Sequence, residues 1–346
     1  MLDLPAFATT MVGSYPQPDW LVDRAILGGR LPPRVRATEI WRIAPPHLAA
    51  AQDDATLLAI RDQELAGLDI VGDGEMRRES YSNAFANSLA GIDHDNPGTA
   101  LDRTGKPNSV PRVVGPIERR ASTLVDEAAF LRRATTRPTK ITLPGPFTMA
   151  QQAQNDFYAT QRELALAYAD AVNAEIRALH ATGVDIVQLD EPYLQARPEQ
   201  AAEFGLEAVN RAVRGVSGLT ALHICFGYAH VHAYAAKPSG YSFLPELDAC
   251  NVDILSIEAA QPALDLSILR GLPSRRIMLG VISLGDLAIE TPAMVARRID
   301  AALAHVPAER LLLAPDCGLK YVSREVAFGK LRALVEGAAL VRGRRS

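Results

Sequence analysis

The chain predicts an α/β fold, a (β/α)8 TIM barrel, on three observations. Eight short apolar or β-branched runs recur along it, longer stretches with helical apolar spacing separate many of them, and most runs end in a polar or glycine-bearing tip. The runs are 9–14, 69–75, 140–145, 185–191, 220–225, 252–258, 276–282 and 311–317. With 346 residues, 48% of them hydrophobic, the chain suffices for one large core, and residues 1–346 are read as a single TIM-barrel domain.

The first run carries Val12-Gly13-Ser14 at its tip and opens an excursion over 12–46, in which Trp20 and Trp41 are expected to anchor the segment by packing. The helical stretch 54–66 exits through Gly67, and the run after it closes on Gly72-Asp73-Gly74-Glu75. Residues 91–120 are rich in Gly, Pro, Asn and Asp and exceed an ordinary barrel loop, so an inserted loop or small hairpin is expected beside the pocket mouth. The third run ends in Pro144-Gly145-Pro146-Phe147-Thr148-Met149, where two prolines fix the turn. Its Phe and Met suit either a planar ligand or the core. The helix 161–180 exits through Gly183, and the fourth run closes on Asp190-Glu191-Pro192. Helical spacing returns at 199–213 and 294–304; Thr291 before Pro292 reads as an N-cap, and Ser323 as the cap of a last helix that contains 326–334.

Charge excludes some classes of partner. Lys and Arg number 36 against 40 Asp and Glu, a net of -4, so no field for nucleic acid or an anionic membrane is expected. Arg342, Arg344 and Arg345 read as a solvated tail. No window offers the roughly 18 apolar residues of a membrane span, and the start carries Asp3 and no basic stretch, so a cytoplasmic location is expected. Three cysteines do not make a disulfide framework, and Cys250 reads as a core residue.

Period-2 geometry puts His223 and Cys225 on one face of one strand, where both reach a single ion. Glu258 and Cys317 end the sixth and eighth runs, on the same barrel rim. These four side chains form a candidate site for Zn²⁺, which soft thiolates with an imidazole and a carboxylate favour over Mg²⁺ or Ca²⁺. A lone buried His or Cys is more often core; convergence on one rim favours the metal. Two thiolates make the ion a poor Lewis acid, so attack by a metal-held sulfur is favoured without excluding hydrolysis. Glu75 and Asp190 suit an ammonium group, and backbone N–H groups of Gly13 and Ser14 suit a carboxylate, which together describe an amino-acid thiol.

Met11-Val12-Gly13-Ser14-Tyr15-Pro16, Asp73-Gly74-Glu75, the 144–149 turn, Asp190-Glu191-Pro192, His223-Ile224-Cys225, Ser256-Ile257-Glu258 and Pro315-Asp316-Cys317-Gly318-Leu319-Lys320 resemble, in order, the landmarks of the cobalamin-independent methionine synthase family. The likeness is to its C-terminal catalytic barrel and covers nearly the whole chain. It implies His223, Cys225, Glu258 and Cys317 as zinc ligands, Gly13, Ser14, Glu75 and Asp190 as the homocysteine site, and methyl transfer to the homocysteine thiol to give methionine. The full-length family's N-terminal barrel has no counterpart here, and Asp73 stands where the long enzymes have histidine. Gly285 of Ser283-Leu284-Gly285-Asp286 occupies the position of a family histidine tied to proton delivery, leaving Asp286 or Asp316 as replacement acids. The implied donor is methyl-tetrahydrofolate or a methylated corrinoid protein. An epoxide:thiol alkyltransferase using coenzyme M is an alternative that two carboxylates in the pocket disfavour. A non-catalytic zinc-stabilised barrel that serves as an interaction protein is another.

Overall fold

The computed structural model describes residues 4–28, 32–103, 105–121, 124–227 and 240–345. Its strands in chain order are β1 (Ala90–Leu101), β2 (Pro107–Glu118), β3 (Lys140–Pro144), β4 (Gln154–Asn155), β5 (Ile186–Asp190), β6 (Leu219–Ile224), β7 (Ile254–Ile257), β8 (Arg276–Ile282) and β9 (Leu311–Pro315). Six of them form a continuous parallel ladder in the order β3-β5-β6-β7-β8-β9. Every residue of β3, β5 and β9 is buried, because a parallel sheet covered by helices has no wet face.

Two segments close the ring through shorter contacts. Thr9 bridges Leu313 of β9, and Val71 bridges Thr139 at the start of β3, both in parallel. Asp69 and Ile70 donate their N–H groups to the Thr9 carbonyl, and the Asp69 carboxylate accepts from the Thr9 N–H and hydroxyl. All eight runs thus occupy barrel positions. The second stays short because Gly74 and Glu75 take positive φ, 68° and 55°, which turns the chain out of the sheet.

Residues near the strand starts, among them Ile186, Ile254, Met278 and Leu312, join Val12 in an apolar cluster inside the barrel. Above it lies a buried polar layer. Lys140 Nζ donates to the Val12 carbonyl and to Gln188 Oε1, and Gln188 Nε2 donates to the Val12 carbonyl and to Asp190 Oδ1 at 2.8 Å. Burial lowers the Lys140 ammonium to about 8 against the opposing charges of Asp190, Glu75 and Asp73.

The helices end where their sequence signals stand. Thr291 accepts from the Met294 N–H and Ser323 from the Val326 N–H, while Gly67 and Gly183 take φ of 92° and 86° after their helices. Phe147 and Met149 are buried in the core, Phe147 packing on Phe204, so the 144–149 turn serves packing. Trp41 is packed, with Nε1 donating to Glu79, but Trp20 is 46% exposed and anchors nothing. No helix among the described residues is long and apolar enough to cross a membrane.

The 91–120 insertion is an antiparallel hairpin of β1 and β2, with register shifts between Ala90 and Ile92 and between Asp93 and Gly98, and it is extended by β4. Its tip is tied down at Asp102: Oδ1 accepts from the Lys106 N–H, and the Asp102 carbonyl accepts from Gly105 N and from Arg197 Nη2. At the far side of the rim, Lys330 from the last helix is wholly buried. It donates to the carbonyls of Ser283 and Ala288 and to Glu290, pinning the loop after β8. Lys330→Met leaves those carbonyls unmet and Glu290 paired only with Arg298; a loss of about 3 kcal/mol in urea denaturation is expected.

Candidate metal centre

The register of β5, β6 and β7 sets Asp190, His223 and Ser256 side by side. Cys225 follows the end of β6, and Cys317 lies just beyond β9. The ligand atoms of His223, Cys225 and Cys317 lie within 4.8 Å of one another, and all three residues are buried. Ser256 Oγ sits 2.9 Å from His223 Nδ1, so Nε2, buried and without a hydrogen-bond partner, is the nitrogen left for a metal. Two thiols and one oriented imidazole fit Zn²⁺. The hydrogen bond with Cys317, then the neighbouring His223, hold the Cys225 thiol well below its ordinary range in spite of burial. Burial works against the His223 charge, but Cys225 and the carboxylates of Asp190 and Glu258 raise it overall.

Three of the four expected ligands therefore converge. Glu258 stands outside the 4.8 Å group because its Oε1 accepts from the Phe226 N–H at 3.1 Å. It is buried at the end of β7 and close enough for its charge to act on His223.

The metal group opens into a pocket that is also lined by Gly13, Ser14, Glu75 and Asp190. The four residues expected around an amino-acid substrate are thus gathered beside the thiols. Glu75 Oε1 accepts from the Thr142 hydroxyl at 3.0 Å, and its N–H donates to Asp73 Oδ1. Asp73 and Glu127 in turn share the buried Arg78, which does not meet solvent or ligand. Gly13 leaves room for Glu75: a Cβ there would lie 2.6 Å from Glu75 Oε1 and push the carboxylate aside. Burial pushes the Asp190 carboxyl up to about 7, Glu75 adding to the shift while His223, Gln188 and Lys140 oppose it.

The two candidate acids lie elsewhere. Asp286 is exposed and caps its own turn, accepting from the Ala288 N–H. Asp316 is buried, but its oxygens accept from the N–H groups of Ala259, Ala260 and Gln261, which fastens the loop after β7. Neither lines the pocket. At Gly285 a Cβ would meet Gln261 Nε2 at 2.7 Å, so Gln261 packs over the site where a side chain would emerge. Tyr81 and Arg103 line the pocket without having been singled out in the sequence. The only signal was a charged residue within the long Gly-, Pro-, Asn- and Asp-rich insertion.

A parallel barrel with a buried thiol, thiol and imidazole group at the C-terminal ends of its strands defines a metal-dependent enzyme of thiol chemistry. Residues 7–340 match the family described as cobalamin-independent synthase, catalytic domain. Methionine synthase of Sulfurisphaera tokodaii is 34% identical over 348 residues, covering 99% of this chain and 94% of that protein. Methionine synthase of Saccharolobus solfataricus is 35% identical over 352 residues, covering 99% and 97%. A B12-independent methionine synthase from Shewanella sp. W3-18-1, solved in complex with selenomethionine, superposes with a TM-score of 0.89 at 34% identity, covering 99% of both chains. The chain belongs to the cobalamin-independent methionine synthase family, matching its catalytic domain.

Cys225→Ser and Cys317→Ser are each expected to reduce bound zinc by at least about tenfold in affinity, measured by competition with a chelating dye. Gly13→Ala should keep its zinc while weakening amino-acid binding, because the methyl group displaces the Glu75 carboxylate.

Proposed function

We propose that this chain transfers a methyl group to the thiol of homocysteine, giving methionine. The observation that carries the reading is one pocket holding a zinc-type ligand group and two carboxylates, Glu75 and Asp190. The Shewanella neighbour supports it, since its ligand is methionine with selenium in place of sulfur.

His223, Cys225 and Cys317 would hold zinc, and Glu258, the expected fourth ligand, stands beside them with its carboxylate on the Phe226 N–H. Zinc held there supplies the positive charge that favours a thiolate at neutral pH. Glu75 and Asp190 receive the ammonium group and fix the amino-acid end; the backbone at Gly13 and Ser14 receives the carboxylate. The buried walls exclude water from the sulfur, and orientation toward the methyl carbon supplies the rate gain. The sulfur lone pair forms the new S–C bond as the donor's bond to methyl breaks and its electron pair stays with the leaving group.

A methylated corrinoid suits this site better than methyl-tetrahydrofolate. Folate N5 leaves well only when protonated, whereas reduced cobalt leaves with the electron pair and needs no proton. Asp286 caps an exposed turn, Asp316 is occupied by three backbone N–H groups, and position 285 offers no side chain. The reading places the protein in the cytoplasm, where Cys225, Cys250 and Cys317 stay reduced; all three are free thiols.

The test supplies homocysteine with methylcobalamin, methyl-tetrahydrofolate and its polyglutamate in parallel, and measures methionine. Product from methylcobalamin at a rate at least about tenfold above the folates is expected, and a folate preference would reverse the donor assignment. Zinc X-ray absorption should gain one sulfur scatterer when homocysteine is added. An unchanged shell would remove the thiol-activation reading.

A further inference from the structure

The hairpin is not required to close the barrel, yet its tip enters the pocket. Arg103, one residue past the end of the anchored Asp102, lines the same cavity as Glu75, Asp190, Cys225 and Cys317. Its guanidinium carbon lies 5.7 Å from the centre of the Tyr193 ring. It packs so tightly on Gly227 that a Cβ there would meet both terminal nitrogens at 1.9 Å, and Gly227 has a φ of 79°. The group is thus stacked on one side and walled on another.

What it lacks is a carboxylate partner; Cys225 and Cys317, whose charge also favours the guanidinium, belong to the metal group. Nη1 is buried without a hydrogen-bond partner, and among the described residues no carboxylate forms an ion pair with Arg103. The two pocket carboxylates are engaged elsewhere, Glu75 with Thr142 and Asp190 with Gln188. Arg103 is half-buried, and a cation with a buried, open donor is costly unless something anionic completes it; a pocket is where a ligand does so. A guanidinium is also the side chain best matched to a carboxylate.

We propose that Arg103 is a specificity residue that pairs the carboxylate of the amino-acid thiol, adding a charge to the backbone groups at Gly13 and Ser14. The pocket then matches a zwitterion, with acids for the ammonium group and a cation for the carboxylate. This rests on the homocysteine reading above and extends it to a residue outside the barrel strands.

The test is calorimetric titration of the zinc-loaded protein with homocysteine and with 3-aminopropane-1-thiol, which has the same chain, thiol and amine but no carboxylate. Arg103→Gln should weaken homocysteine roughly 10- to 100-fold while changing the aminothiol by less than about twofold; Arg103→Lys should recover part of the loss. Zinc content and circular dichroism should match the wild type. Equal weakening of both thiols overturns the assignment, since the residue would then only shape the pocket. Unchanged homocysteine binding with a raised KM for the methyl donor also overturns it, and moves the cation to the donor. Failure of the wild type to bind either thiol overturns the homocysteine reading itself, a result distinct from the other two.

Discussion

The site depends on the parallel register of three neighbouring strands. Because Asp190 pairs with His223 and His223 with Ser256, an acid, an imidazole and a hydroxyl are carried at one height around the barrel. A slip of one residue in β6 would turn His223 to the helix side and bring Ile224 or Leu222 inward. The imidazole would lose Ser256, and Cys225 would leave Cys317. The apolar cluster below, which includes Ile186 and Ile254, resists that slip.

Polar groups inside a barrel are costly unless paired, and beneath the pocket the chain supports one charged group with another. Asp73 positions the Glu75 backbone while Arg78 neutralises Asp73, and Glu127 shares that arginine. Lys140 neutralises the interior below Asp190, and Lys320 donates to the Arg78 carbonyl. Burial depresses both lysines to about 8, so their charges are held at the expense of solvation and only while the acids around them stay ionised. Removing one member of such a set leaves the rest uncompensated, so the cost falls on the pocket even when the residue touches no ligand.

Much of this was legible in the chain before any coordinates. The eight runs read correctly because buried parallel strands are continuously apolar, and period 2 placed His223 and Cys225 on one face. The caps at Thr291 and Ser323 read correctly because their chemistry is local. Glu258 was harder: its position at a strand end says that it reaches the rim, but not that the Phe226 N–H has claimed its carboxylate. Asp316 shows the same limit, since three backbone donors from a loop 55 or more residues away cannot be seen from its neighbours. Trp20 looked like an anchor by residue type, and type alone does not determine burial. Arg103 was invisible because a hairpin's length is written in sequence while the place its tip lands is not.

The origin of each pocket group also decides how freely it can vary. His223, Cys225, Asp190 and Cys317 lie on or just past strands whose residues are nearly all buried, so their geometry is inherited from the barrel core. Arg103 comes from a two-stranded excursion held to the barrel at its tip by Arg197 and packed on Gly227 and Tyr193. Changes in the hairpin can therefore alter the charge presented to a substrate without moving the metal ligands. Chemistry fixed by strand register, and recognition completed by an insertion, is a division that lets one barrel retain thiol activation while its choice of thiol changes.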